Sequence, residues 1–268
     1  MCDVFLGRFM KKYAFAIVVL ATVLISTLFA STSASIVVND PRIRIGNSAS
    51  SNWSGYAVQT SLTNPTNGVV SDVKGSWTVP AVTSGAKNTY SSFWVGIDGY
   101  SDGTVEQIGT DSDTNNKGQP VYYAWYEMYP AYPVYLNLII QPNDVITAEV
   151  SYDSIQSKFT LTITDTSTGA TFVTTQPSSS SIQRSSAEWI AEAPSSGRVL
   201  PLANFDTVAF TGCSATISGH TGSISDSNWQ YDAITMVGGA GKHTTIKAAP
   251  SPLDSATGSI FSVTWYHK

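Results

Sequence analysis

Short runs in which polar and apolar residues alternate follow one another along most of the chain, and no other feature constrains the fold as strongly. In the run 158–165, Phe159, Leu161 and Ile163 alternate with threonines. A period of two is that of a β-strand with one buried face. We predict strands over 69–80, 90–97, 105–109, 121–129, 136–140, 145–153, 158–165, 170–175, 187–191, 207–210, 215–218, 234–237 and 259–266.

The segments between these runs are rich in Gly, Pro, Ser and Asn, which favour turns. No stretch has a convincing helical period, and the segment 201–205 is long enough for one helical turn at most. Many short strands joined by turns are typical of an antiparallel β-sandwich or jelly roll. We therefore predict an all-β fold in one domain, without an internal repeat.

The N-terminal region has the parts of a secretory signal peptide. Basic residues precede an uncharged apolar run over 13–30, and small residues follow up to Ala34. This order is that of a cleaved signal, although the run is long enough for an uncleaved membrane anchor as the alternative. The predicted division is a signal peptide over 1–34, a linker or short pro-segment over 35–51, and the β-sandwich domain of a secreted protein over 52–268.

Charge narrows the choice of partners. Residues 36–268 hold 11 Lys and Arg against 18 Asp and Glu, a net charge of −7. Basic residues form no cluster along the sequence, so nucleic acid is not expected as a partner. A chain with few Lys, Arg and His gains little positive self-repulsion in acid, which is compatible with an acidic habitat.

Several other chemistries have weak signals. The three histidines share no metal-ligand spacing, and a calcium-loop start at Asp111 lacks the Gly and Glu that such a loop needs. Ser101 lies between glycines as in a serine-hydrolase elbow, but a strand rather than a helix is predicted after it, so we interpret it as a hairpin loop. Cys213 is predicted to be a buried thiol. No metal or cofactor is predicted.

Carboxylates among aromatic residues are the stronger candidates. Glu127 and Glu188 are both flanked by Trp and apolar residues, where desolvation raises a carboxyl pKa. On a strand Glu192 would share a face with Glu188, so it is a rival for the same role. Two carboxylates on an aromatic sheet would also suit a glycoside hydrolase, and a carbohydrate-binding sandwich without catalysis is a further alternative.

Five segments in order resemble the glutamic peptidase (eqolisin) family of secreted acid endopeptidases. They are Asn52-Trp-Ser-Gly55, Phe93-Trp-Val-Gly-Ile-Asp-Gly99, Gln107-Ile-Gly-Thr-Asp111, Ala124-Trp-Tyr-Glu-Met-Tyr-Pro130 and Ala187-Glu-Trp-Ile-Ala-Glu192. The resemblance covers residues 52 to about 266. It implies two large antiparallel sheets packed as in concanavalin A-like lectins and glucanases.

The resemblance also implies the site residues. Gln107 and Glu188 match the catalytic pair of the family, and Glu127 matches a carboxylate near the substrate cleft. Further positions that line or support the substrate site are Trp94, Asp98, Asp111, Trp125 and Tyr126. The implied protein is a monomer that needs no cofactor, cleaves a polypeptide substrate and keeps no stable membrane association after signal cleavage.

This pair suits peptide hydrolysis in acid. A carboxylate at Glu188 can take a proton from water and return it to the leaving amine, while the amide of Gln107 can donate to the oxyanion at any pH. In the alternative order, protonated Glu188 polarises the carbonyl first. Two departures from fungal members are the lack of paired cysteines and Glu106 in place of an apolar residue. On a strand Glu106 points away from Gln107, so we expect it to be harmless.

Overall fold

The computed structural model describes residues 48–239 and 243–268, in which the regular structure is β-strand. The predicted signal peptide and most of the predicted linker lie outside these residues. The strands are β1 (Ala49–Ser50), β2 (Trp53–Gln59), β3 (Val70–Thr78), β4 (Ser92–Ile97), β5 (Val105–Thr114), β6 (Pro120–Tyr129), β7 (Val134–Tyr135), β8 (Val145–Asp153), β9 (Lys158–Asp165), β10 (Ala170–Pro177), β11 (Ser186–Glu192), β12 (Thr207–Ile217), β13 (His220–Ser223), β14 (Gln230–Gly238), β15 (Thr245–Pro250) and β16 (Phe261–Trp265).

The strands form two antiparallel layers that share β14. One layer has the order β14-β2-β11-β4-β5-β6-β7, and the other has the order β10-β9-β8-β3-β12-β16-β15-β14. Residues 230–234 of β14 pair with β2, and its later residues pair with β15. The short β1 also lies parallel to β14, the exception to the antiparallel pattern. The predicted antiparallel β-sandwich is confirmed.

The main core lies between the two layers. On β4, Phe93, Val95 and Ile97 are fully buried on the inner side, where they meet large side chains of the second layer such as Trp77 and Phe210. The alternate residues of the first layer therefore point to its other face. That outer face carries a second apolar cluster that includes Trp53, and it holds the candidate site.

Several strand predictions need correction. The run 136–140 is not a strand, whereas β1, β2, β7, β13 and β15 were not predicted. Two strands predicted over 207–210 and 215–218 are one strand, β12, whose pairing with β3 shifts register between Thr211 and Ser214. A bulge at this point interrupts the alternation of side chains, so one strand has the sequence pattern of two.

Two further features concern the predictions about the N-terminus and the cysteine. Within the described ranges, no helix has the length and apolar character to cross a membrane. Cys213 is buried and free, as predicted, and burial raises the pKa of its thiol.

Candidate active site

One row of residues crosses the outer face of the first layer and brings the predicted catalytic residues together. Register pairs Glu188 of β11 with Gly96 of β4, Gly96 with Gln107 of β5, and Gln107 with Glu127 of β6. On the other side of Glu188 the row continues to Ala57 of β2. Because paired residues point to the same face, the three polar side chains share one row of the sheet.

Gly96 contributes no side chain to the row between Glu188 and Gln107. Neighbouring strands lie about 4.8 Å apart, so the backbones at Glu188 and Gln107 are roughly 10 Å apart. A Cβ atom at Gly96 would lie 2.9 Å from Cζ3 of Trp94 and 3.2 Å from Cβ of Gln107. The absence of a side chain at Gly96 thus lets Trp94 and Gln107 pack closely over the row between the two polar groups.

The carboxyl group of Glu188 is fully buried, and neither of its oxygens has a hydrogen-bond partner among the described residues. Burial raises the pKa of Glu188 well above its usual range, and the negative charges of Asp98, Asp102 and Glu106 raise it further, while the nearby hydroxyl of Ser186 opposes the shift. In acid Glu188 therefore carries a proton that it can give to a bound group.

Gln107 is oriented by its neighbour in the row. Its Nε2 donates a hydrogen bond of 2.6 Å to Oε2 of Glu127. Since a carboxylate accepts only from the NH₂ side of the amide, this contact fixes which way the amide group lies. The Oε1 atom of Gln107 is buried and has no hydrogen-bond partner in the described part of the chain. A water molecule or a substrate amide is the natural partner for such an atom.

Two further rows support the first. Trp94 of β4 lies in the next row, packs edge-on against Trp53 with 5.0 Å between ring centroids, and donates from Nε1 to Oε2 of Glu192 at 2.9 Å. Asn52 donates to the other oxygen of Glu192 at 3.0 Å. Burial raises the pKa of Glu192 to about 8 despite these donors. Glu192 shares the face of Glu188, as predicted, but its oxygens are occupied by structural donors.

Asp111 holds Trp125 in a similar way. The Nε1 atom of Trp125 donates to Oδ1 of Asp111 at 2.5 Å, and both side chains are buried on the outer face. Burial raises the pKa of Asp111 to about 6. Asp111 thus supports the wall of the site, since it lies two rows from Gln107 and contacts no member of the first row through a hydrogen bond.

Asp98 lies at the end of β4 and anchors the segment that leads into β11. Its carboxyl group accepts hydrogen bonds from the backbone N–H groups of Gln183, Arg184 and Ser185 at 2.5–2.9 Å. Burial raises its pKa to about 7, and the charge of Asp102 adds to this shift. The contact ties the segment just before β11, which ends three residues before Glu188, to the strand that carries Gly96.

Tyr126 is not brought to the row. It precedes Glu127 on β6 and therefore lies on the opposite face, where it stacks on Phe172 of the second layer and accepts a hydrogen bond from Gln176. Glu106 likewise lies on the inner face, as predicted. Its carboxyl group is fully buried, and both oxygens have no hydrogen-bond partner in the described ranges. Burial raises its pKa well above the usual range, so this residue affects pH dependence.

Sequence reasoning missed the role of Gly96. A glycine within an alternating strand is a signal of close approach by another group, and Gly96 stands between Val95 and Ile97 in such a run. Asp102 was also missed, although it lies in the hairpin loop after β4 and accepts a hydrogen bond from Ser185 at 3.2 Å.

A buried carboxyl and an oriented amide that face each other across a glycine define a class of site that can activate water without a covalent intermediate. The sequence model of the group described as the Peptidase A4 family matches residues 51–250. The chain belongs to the peptidase A4 family.

Individual relatives agree with this assignment. Aspergillopepsin-2 from Aspergillus niger is 32% identical over 178 aligned positions, and the match covers 58% of this chain and 62% of that protein. The match thus spans less than two thirds of that relative's length. Scytalido-glutamic peptidase, solved with a peptide-based transition state analog, is 26% identical with a TM-score of 0.64 over 82% of this chain and 100% of that chain. Aspergilloglutamic peptidase from Aspergillus niger is 29% identical with a TM-score of 0.53, over 66% of this chain and 99% of that chain.

Proposed function

We propose that the protein is a secreted acid endopeptidase in which Glu188 and Gln107 hydrolyse the peptide bond. The observation that carries the proposal is their position in one row, on either side of Gly96, with unpartnered oxygens on both. Family membership supports the reaction class, and the peptide-based analog bound by scytalido-glutamic peptidase supports a polypeptide substrate.

In the first order of steps, ionised Glu188 takes a proton from a water molecule that Oε1 of Gln107 holds. The hydroxide attacks the carbonyl carbon, and an N–H of Gln107 donates to the oxyanion. Glu188 then gives its proton to the amine nitrogen as the C–N bond breaks. One such donor contributes roughly 3–4 kcal/mol to transition-state stabilisation.

In the second order, protonated Glu188 gives its proton to the carbonyl oxygen while water attacks, and it receives a proton from that water. The neutral diol then breaks down as Glu188 protonates the nitrogen and regains a proton from a hydroxyl group. The raised pKa of Glu188 favours this order in acid, because burial keeps the group protonated there. The amide of Gln107 serves both orders, since it does not titrate.

The rest of the outer face suits an extended chain. Aromatic side chains, among them Trp53, Trp94 and Trp125, form an apolar layer beside the row. A polypeptide that lies across the strands would meet the half-buried Tyr123 and Tyr129, which pack against this buried layer. We infer that the enzyme acts as a monomer outside the cell, after loss of the segment 1–34.

The test is digestion of a denatured protein at about pH 3–4 by wild type, Gln107→Ala, Glu188→Gln and the control Glu149→Gln. Glu149 lies in β8 of the other layer and forms an exposed ion pair with Lys74. We expect both site variants to lose at least 10²-fold in kcat/KM and the control to keep full activity, with no effect of an aspartic-peptidase inhibitor. Wild type that is inert from pH 2 to 7 would refute the peptidase.

The pH profile of kcat/KM distinguishes the two orders of steps. If ionised Glu188 acts first, activity rises with pH until the group is fully ionised. If protonated Glu188 acts first, activity falls as pH rises through its pKa. A glycoside hydrolase would instead require Glu127 and Glu188 together and tolerate Gln107→Ala, so Glu127→Gln, Glu188→Gln and Gln107→Ala are also assayed on polysaccharides.

A further inference from the structure

A pocket at the far end of the sandwich gathers positive charge in an acidic protein. It holds about 510 Å³, and four cations line it, Lys87, Arg198, Lys247 and Lys268. Nine of the 14 Lys and Arg residues lie after residue 47, and four of these nine meet here. They are far apart in the sequence, so the absence of a basic cluster along the chain did not indicate this pocket. None of the residues that line it is acidic.

Lys247 is the unusual member of this group. It exposes 7% of its surface, which includes its ammonium group, and that group has neither an ion pair nor a hydrogen bond within the described residues. Burial lowers its pKa, the direction expected when the charged form lacks a partner. A largely buried charge is normally paired, because its removal from water is unfavourable. An anion in the pocket would supply the missing partner.

The walls of the pocket are fixed by backbone hydrogen bonds. The β3–β4 connection is held to the β11–β12 connection, because Tyr90 N donates to Pro201 O at 2.9 Å and Ala203 N donates to Tyr90 O at 2.9 Å. The carbonyl of Lys247 accepts from Tyr266 N at 2.8 Å. The cations therefore project from segments that are already ordered, which lowers the entropic cost of binding.

The pocket is remote from the catalytic row. Thr89, which lines it, pairs with Thr114 at the end of β5, and Gln107 lies seven residues earlier on that strand. At about 3.4 Å per residue the two are roughly 24 Å apart. A ligand here would not contact Glu188 or the substrate.

We propose that this pocket binds a small organic molecule that carries a phosphate or sulfate ester. The size falls within the roughly 300–1,000 Å³ of small-molecule sites, which exceeds the need of one inorganic ion. Val199, Leu200 and Pro201 give the organic part an apolar wall. The choice of ester rests on the proposed acid activity, because carboxylates with pKa values near 4 are largely neutral in acid, whereas phosphate and sulfate esters remain anionic.

The test measures Tm at pH 4 with glucose 6-phosphate, glucose 6-sulfate, citrate, or sodium chloride at equal ionic strength. We expect at least one ester near 100 times its Kd to raise Tm by about 5 °C or more over the chloride control. The effect of citrate should decline from pH 6 to pH 3. The more effective of the two esters identifies the headgroup. Equal Tm in esters and chloride would overturn the proposal, and a full citrate effect at pH 3 would overturn the choice of ester.

Matched variants link the shift to the pocket. Lys247→Met should raise Tm without ligand, because it removes an unpaired buried charge, and it should abolish the ester shift. Lys87→Gln combined with Arg198→Gln changes exposed positions, so it keeps the test open if Lys247→Met does not fold. Lys158→Gln, on the remote strand β9, is the control and should keep the full shift. An equal shift in all variants would refute the site.

The same measurement in Glu188→Gln separates this proposal from the catalytic one. That variant should bind the ester with an unchanged Tm shift, whether or not the wild-type protein cleaves peptides. Loss of the shift in Glu188→Gln would show that the ester binds at the catalytic row and not at the pocket.

Discussion

Gly96 controls the distance of approach between the two proposed catalytic groups. Glu188 and Gln107 come from strands that are not neighbours, and the strand between them contributes no side chain at this row. A larger residue would displace Trp94 and Gln107, which pack against Gly96, and so change how the two groups are placed. Effective catalysis depends on such placement, since an error of about 1 Å can cost 10²-fold in rate.

The residue-scale prediction is that Gly96→Ala lowers kcat/KM by about 10²-fold with a modest loss of stability. Its Cβ atom would lie 2.9 Å from the side chain of Trp94 and 3.2 Å from Cβ of Gln107, so Trp94 must shift and Gln107 must give way. Peptide cleavage and thermal unfolding are measured together. The control is Gly103→Ala, because nothing lies within 4 Å of a Cβ atom there. Equal activity of the two variants would contradict this role of Gly96.

At the scale of elements, the junction between β4 and β11 depends on Asp98. We predict that Asp98→Ala lowers the free energy of unfolding by at least about 2 kcal/mol, because the backbone N–H groups of Gln183, Arg184 and Ser185 lose their acceptor. Activity should fall as well, since this segment leads directly to Glu188. Urea unfolding at pH 4 and kcat/KM are the measurements.

The matched control is Asp153→Ala. Asp153 also accepts from backbone N–H groups, those of Ile155 and Gln156, but its turn is exposed and water can replace the acceptor. A much smaller change is expected there. An equal loss of unfolding free energy in both variants would show that Asp98 stabilises the fold no more than an acceptor in an exposed turn does.

How far the sequence predicts the elements depends on which residues face the core. The strands β8 and β9 were predicted within their observed bounds, because apolar residues alternate cleanly along them. The strand β15 was missed because its pattern is inverted, with Ile246 exposed and Lys247 buried. The buried lysine reflects a pocket formed by distant segments, which local periodicity does not contain.

In the candidate site, too, the sequence predicts the faces of single strands but not the contacts between distant segments. Alternation within single strands assigns Glu188 and Glu192 to one face and Glu106 to the face opposite Gln107. It also assigns Tyr126 to the face opposite Glu127, although the family resemblance implied that Tyr126 lines or supports the substrate site. The register that joins Glu188, Gly96 and Gln107 is set by pairing between strands far apart in the chain, and one sequence does not specify it.

At the scale of the whole molecule, buried carboxyls determine the response to pH. Burial raises the pKa to about 6 for Asp111, about 7 for Asp98 and about 8 for Glu192. The native state then holds protons that the unfolded chain has released, so stability falls as pH rises from about 4 to about 8. Each group lowers the free energy of unfolding by up to about 1.4 kcal/mol per pH unit within its own window.

The opposite trend holds in stronger acid. A hydrogen bond from His220 lowers the pKa of Asp226 to about 2. A hydrogen bond from the backbone of Thr257 lowers the pKa of Asp254 to about 2. Their stabilising contribution is present above pH 4 and is lost as pH falls toward 2. We therefore predict a maximum of Tm near pH 4, measured by calorimetry from pH 2 to 8 at constant ionic strength. A maximum at neutral pH would contradict this.

Glu106 offers a matched variant for the alkaline side. Glu106→Gln replaces an unpartnered buried acid with a neutral group of similar shape, so the decline of Tm above pH 4 should become shallower. Asp206→Asn, at an exposed position just before β12, should leave the decline unchanged. An identical decline in the two variants would exclude Glu106 as a contributor.

The strand order affects how many molecules of the protein survive a temporary rise in pH. In the first layer, Gly55 pairs on one side with Ile190 and on the other with Ile234. The central strands therefore join parts of the chain that are far apart in the sequence. Folds built on such distant pairings form slowly. Molecules that unfold at neutral pH would therefore refold slowly on return to acid. During that time they are substrates for the copies of the proposed peptidase that stayed folded. A brief rise in pH would reduce the number of active molecules permanently.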